Sequence, residues 1–170
     1  VPLVSASQLH HADDALSLVN HANDVDDPIL RGMKILERQI NNPATWPIGR
    51  YGAMAHSKRA EHYLREGILQ SVNPVGKGTI DLVLTNNVGV EVKYNTAKYV
   101  IAHANRLANQ LTKFGDLNLN QIVVEFVQTN HNPVTEIVLT ELRQQLAANQ
   151  VDLSNIVFRI IDIPGISLSK

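Results

Sequence analysis

The run Gln121-Ile-Val-Val-Glu-Phe-Val-Gln128 is apolar on both of its alternating sides. A strand of that kind is expected where helices cover both faces of a sheet. Its surroundings supply the layers. Thr79–Thr85 and Val88–Tyr94 read as two strands joined at Asn86-Asn87, the second with clear alternation. Residues 96–114 read as one long helix with Val100, Ile101, Ala104, Leu107, Ala108 and Leu111 on its buried side. A helix opens near Pro133 and runs to about Asn149, and Asn155–Asp162 is a last strand. A helix over 51–69 and a loop over 71–78 precede the hairpin. From residue 51 the order is α, β, β, α, β, α, β. It predicts an α/β (α+β) fold with a mixed central sheet flanked by helices and right-handed crossovers.

Upstream, Leu9, Ala12, Leu16, Val19 and Ala22 share one face of a helix over 7–22, with Ser5 or Ser7 as cap. Asp27 and Pro28 are the N-cap and first position of another, which runs to about Ile40. Residues 41–50 hold two prolines and a glycine and read as a linker. We therefore divide the chain into a helical preamble, 1–45, and a main domain, 46–170.

With 170 residues the chain has room for a real core. It has no cysteine, which excludes a disulfide scaffold, a cysteine nucleophile and a thiolate zinc site. No apolar run is long enough for a membrane span. The start, Val1-Pro2-Leu3, has neither an initiator Met nor a signal-peptide pattern, and reads as a fragment or a processed product. The net charge is −1, unevenly distributed. Residues 48–115 carry +5, between ends of −3 each. A basic middle suits a local phosphate-binding face, although solvated helix faces produce the same pattern.

The chemistry concentrates in the hairpin. Residues two apart in a strand share a face, so Glu91 and Lys93 project together while Val88, Val90 and Val92 enter the core. Asp81 lies in the partner strand. Two carboxylates suit a hard divalent cation that keeps most of its waters: Mg²⁺ first, with Mn²⁺ or Zn²⁺ as alternatives. A lysine beside them can orient a water or offset developing negative charge. The arrangement makes one demand. A two-residue Asn86-Asn87 turn would set Asp81 opposite Val92, on the valine face. A three- or five-residue loop or a bulge restores the parity, and Gly89 is the candidate for the positive φ it needs.

Asp81-x9-Glu91-x-Lys93, on a hairpin between two helices, resembles the PD-(D/E)xK nuclease superfamily over roughly residues 50–128. The resemblance implies a restriction-endonuclease-like α-β-β-β-α-β core and metal-dependent cleavage of DNA or RNA. Asp81 and Glu91 would hold the metal and Lys93 would assist the water. Glu61 matches by place the further carboxylate that many members carry on the preceding helix. Gln110-Leu-Thr-Lys-Phe114 follows the family's Gln-xxx-Tyr pattern with Phe for Tyr, and Ile80 stands where the family has Pro. The architecture further resembles C-terminal toxin domains of bacterial contact-dependent inhibition proteins. That implies a secreted or cell-surface-delivered toxin acting on tRNA or DNA in the target bacterium's cytoplasm, and a cognate immunity protein. The alternatives are a restriction- or repair-type DNA nuclease domain, and a non-catalytic interaction module in which Glu91 and Lys93 form a structural ion pair.

Lys58, Arg59, Arg65, Lys98, Arg106 and Lys113 are candidate phosphate contacts or members of solvated faces, and Gln110 is a further candidate nucleic-acid contact. Lys77, between Gly76 and Gly78, is a turn residue that an incoming backbone can also meet; the Walker spacing is absent. None of the seven histidines falls in an HExxH-type spacing. His10, His11, His56 and His103 read as surface residues, the last two with phosphate contact as the alternative. Trp46 and Tyr51 read as packing residues, with base stacking as the alternative.

Overall fold

The computed structural model describes residues 27–74 and 78–166. The expected helix over 7–22, with His10 and His11, and the Lys77 turn lie outside them. Helix α1 (Pro28–Asn41) starts where Asp27 and Pro28 predict: the Asp27 carboxylate accepts from the Ile29 and Leu30 N–H groups. Helix α2 (Pro47–Arg65) starts four residues before the expected position, with Pro47 in its first turn. It also ends four residues early. Gly67 takes φ 73°, its N–H donates to the Leu64 carbonyl, and the Ile68 N–H donates to Tyr63. This is a Schellman closure. It turns the chain into a strand absent from the sequence reading, β1 (Leu69–Val72).

Strands β2 (Leu82–Leu84) and β3 (Val88–Lys93) form the expected hairpin. Then come α3 (Ala97–Ala102), α4 (Ala104–Phe114), a 3₁₀ turn (Gly115–Leu117), β4 (Gln121–Val127), α5 (Glu136–Ala148) and β5 (Ile156–Ile161). The single helix expected over 96–114 is broken at His103, whose φ −112° and ψ 25° lie off the helical values.

The five strands form one mixed sheet, ordered β1-β2-β3-β4-β5. β1, β2 and β3 pair antiparallel; β3, β4 and β5 pair parallel. Helices cover both faces, as the apolar run at 121–128 demands. On one face Leu30, Met33 and Leu36 of α1 and Ala60 and Tyr63 of α2 pack on Leu82, Val90 and Val123. On the other, Leu107, Leu111, Leu139 and Leu142 of α4 and α5 pack on Ile122, Val124 and Phe126. The described part of the preamble thus shares its core with the sheet.

One glycine sets the α1–sheet distance. A Cβ on Gly32 would lie 2.2 Å from the Val72 carbonyl oxygen and 2.6 Å from Val72 Cβ. Gly32→Ala must push α1 off β1. Because the obstacle is backbone, we expect a loss at or above the ~1–3 kcal/mol of ordinary overpacking, despite alanine's better helix propensity. Urea unfolding measures it; an unchanged midpoint would mean that the helix shifts freely.

Candidate functional site

The hairpin register decides whether Asp81 and Glu91 meet. Leu82 pairs with Val90 and Val83 with Gly89. Continuing that register sets Leu84 opposite Val88 and Asp81 opposite Glu91. The connection is therefore a three-residue loop, Thr85-Asn86-Asn87. Asn87 supplies the left-handed residue at φ 61°, and its N–H donates to the Leu84 carbonyl at 3.0 Å. The parity requirement is met, but by Asn87 and not by Gly89. Gly89 serves a different need: a Cβ there would lie 2.5 Å from Ile80 Cδ1 and 2.6 Å from Leu119 Cδ1.

Glu91 and Lys93 share the face that α4 covers. Lys93 Nζ donates to Glu91 Oε1 and to Gln110 Oε1, each at 2.7 Å, and Gln110 Nε2 donates to Glu91 Oε1 at 2.8 Å. Helix α4 brings Gln110 over the strand, so its amide ties lysine and carboxylate together. Asp81 sits at the bend before β2, where its Oδ2 accepts from the Val92 N–H at 2.8 Å. His56 of α2 closes the other side. Its Nε2 lies 3.2 Å from the Asp81 carbonyl oxygen, and its Nδ1 4.0 Å from Asp81 Oδ1.

Burial dominates the electrostatics. It pushes the Asp81 carboxyl up to about 6, with the Val92 N–H and the Lys93 charge pulling the other way. Burial and then the Asp81 charge push Glu91 up to about 7, against Lys93. Burial holds His56 down to about 4, so it is neutral at pH 7. Both carboxyls bind protons more tightly folded than unfolded. Their contribution is therefore favourable below the ordinary range near 4 and is lost as pH rises through about 6 and 7. Glu91 Oε2 is buried with no hydrogen-bond partner. Two neighbouring acids that resist joint ionisation, one with an unpartnered buried oxygen, are the hard oxygen donors that a divalent cation takes. Among the described residues no group of three or more His, Cys, Asp or Glu is placed to hold a metal ion. Asp81 and Glu91 would leave the remaining positions to water.

The other expected residues divide. Glu61 is 2% exposed, and its carboxylate pairs with Arg65 one turn along α2. It is not brought to Asp81, because the α2 side chains that reach the sheet are His56, Arg59 and Tyr63, on a different helical phase. Arg59 is committed to the fold. Its Nε and Nη2 donate to the two oxygens of Glu125 at 2.8 Å each, and the Tyr63 hydroxyl donates to Glu125 Oε2 at 2.9 Å. That removes Arg59 from the candidate phosphate contacts, and the Glu61 pair engages Arg65. Lys58 is half-buried, and Lys98, Arg106 and Lys113 are exposed. His56 is buried where a surface residue was expected. Tyr51 packs near Tyr94 with ring centroids 6.2 Å apart, whereas Trp46 is 81% exposed.

The sequence reading missed Glu125 although its signal was present: one carboxylate inside an otherwise apolar run. Compared with the models of known families, with curated proteins and with solved structures, the chain has no match.

Proposed function

We propose that this chain is a divalent-metal-dependent nuclease that hydrolyses phosphodiester bonds. One observation carries the proposal: the hairpin brings the Asp81 charge beside Glu91, two residues from Lys93, with Glu91 Oε2 unpartnered. The element order from α2 to β4, helix, three strands, helices and strand, also agrees with the PD-(D/E)xK core. A cation held by Asp81 and Glu91 supplies charge neutralisation and water activation when bound. The chain's own groups do the rest. Lys93 spends two donors on Glu91 and Gln110, which fixes its ammonium and leaves one N–H for the attacking water or a phosphate oxygen. Gln110 holds both partners in place. His56, neutral and buried, adds no competing positive charge beside Asp81.

On the resemblance alone, the proposal extends to a toxin domain delivered to a competing bacterium, cutting tRNA or DNA there and blocked by an immunity protein. A second reading, the structural ion pair of an interaction module, is favoured by the 2.7 Å Lys93–Glu91 contact. Metal titration separates the two. A native-state ligand raises the unfolding temperature. Because metal competes with the two protons, Mn²⁺ or Mg²⁺ should raise it fully at pH 8 and not at pH 5. No gain at either pH, and no cleavage of total tRNA or plasmid DNA, would leave only the ion pair.

A further inference from the structure

Two cavities flank the cluster. One, of about 210 Å³, opens beside Lys93 and Gln110. Val100, Leu107 and Phe126 give it apolar surface, and Tyr99, His103 and Arg106 also line it. The Tyr99 and His103 rings are stacked, with centroids 3.9 Å apart and planes 21° from parallel. Arg106 Nη1 donates to the Tyr99 hydroxyl at 3.4 Å, and His103 Nδ1 donates to the Tyr99 carbonyl at 2.9 Å. The second cavity, of about 290 Å³, is bounded by Gly49 and Gly52 of α2 and by Val92 and Tyr94. Lys93, Asn95 and Tyr99 line both, so the two adjoin at Lys93 and together outline a groove past it.

We propose that this groove takes an unpaired nucleotide strand, one base seated against Tyr99 and the backbone crossing Lys93 toward Gly52. The inference takes from the nuclease proposal only the position of the scissile phosphate, at Lys93. It names a substrate class: single-stranded or looped nucleic acid, or a nucleotide lifted out of pairing. Three observations carry it. The first cavity's stacked rings and apolar lining suit the π-face that every base presents, while Asn95 and Arg106 can meet its edge or phosphate. No carboxylate among the described residues lines either cavity, whereas Lys93, His103 and Arg106 do, which fits a polyanion. On the α2 side the wall is bare: a Cβ built on Gly52 meets nothing within 4 Å, so a strand can approach the helix closely.

The test measures binding in chelator, where cleavage cannot interfere, by anisotropy of a labelled strand of about ten nucleotides. RNA and DNA forms are each compared with their duplex. Wild type should prefer the single strand by roughly tenfold or more. Tyr99→Ala should lose about tenfold on the single strand alone, and Tyr99→Phe, which keeps the ring, should retain most of the affinity. Gly52→Leu starts from a Cβ that meets nothing within 4 Å, extends into the groove and should weaken binding similarly, with an unchanged or higher unfolding temperature. Equal affinity for strand and duplex, or indifference to both Tyr99→Ala and Gly52→Leu, overturns the groove. Metal-dependent duplex cleavage unaffected by Tyr99→Ala also overturns it, and leaves the nuclease standing. Tyr99-dependent single-strand binding with no cleavage in any metal supports the groove and ends the nuclease proposal.

Discussion

Asp81→Asn should abolish metal-dependent cleavage and make the metal-free protein more stable. The two effects have one cause. The asparagine Oδ1 can still accept from the Val92 N–H, so the bond that ties the bend to β3 survives. What disappears is a buried negative charge beside Glu91. Below pH 4 Asp81 is neutral whether folded or unfolded, and the variant gains nothing. Between pH 4 and about 6 the unfolded wild type ionises while the folded one resists, so the gain grows to at most about 3 kcal/mol at ~1.4 kcal/mol per pKa unit. Chemical unfolding at pH 4 and pH 8 in chelator measures this directly. Lys93→Ala is the partner experiment. It removes the N–H available to substrate and should slow cleavage by roughly 10²–10³-fold. Glu91 keeps the Gln110 amide and can take up a proton, so the fold should persist. An Asp81→Asn protein that is less stable at pH 8 would show that the carboxylate is there for structure, as an interaction module requires. Full cleavage by either variant would end the assignment of this cluster.

The candidate cluster was legible because it rests on alternation and register, which are local. Val88, Val90 and Val92 assign one face of β3 to the core, and Glu91 and Lys93 must take the other. The register made a checkable demand, a loop of odd length, and Asn87 meets it. Asparagine tolerates the left-handed region better than most residues, so Asn86-Asn87 was a sound turn signal read one residue too short. The misses have a different origin. β1 is four residues long and amphipathic over too short a span to show a period, and its start depends on Gly67 closing α2. The break at His103 has no local breaker: no proline or glycine stands there. Arg59 and Glu125 lie 66 residues apart in sequence, and no period links them. Charged residues were assigned to solvent or substrate because most charges belong there, and tertiary packing alone identifies the exceptions.

That pair carries the other large expected effect. Glu125 is 0% exposed, on β4 opposite Val92, and thus on the α2 face, across the sheet from Glu91 and Lys93. Arg59 grips it with two parallel hydrogen bonds and Tyr63 adds a third, so α2 is fastened to the centre of the sheet by one carboxylate. Arg59→Ala leaves that carboxylate buried with a single donor and should cost about 3–5 kcal/mol. Were Arg59 a phosphate contact, the same change would lower substrate affinity and leave stability nearly untouched. Glu125→Leu alone strands the guanidinium, which can still reach toward solvent, and should cost less. Replacing both, Arg59→Met with Glu125→Leu, should recover most of the loss, since a buried pair exchanged for packed apolar side chains is close to neutral. Urea unfolding of wild type, Arg59→Met, Glu125→Leu and the double variant closes the cycle, with Arg59→Ala beside them. A double variant that remains as unstable as Arg59→Ala would mean that the strain lies in the packing of α2 and not in the uncompensated charge.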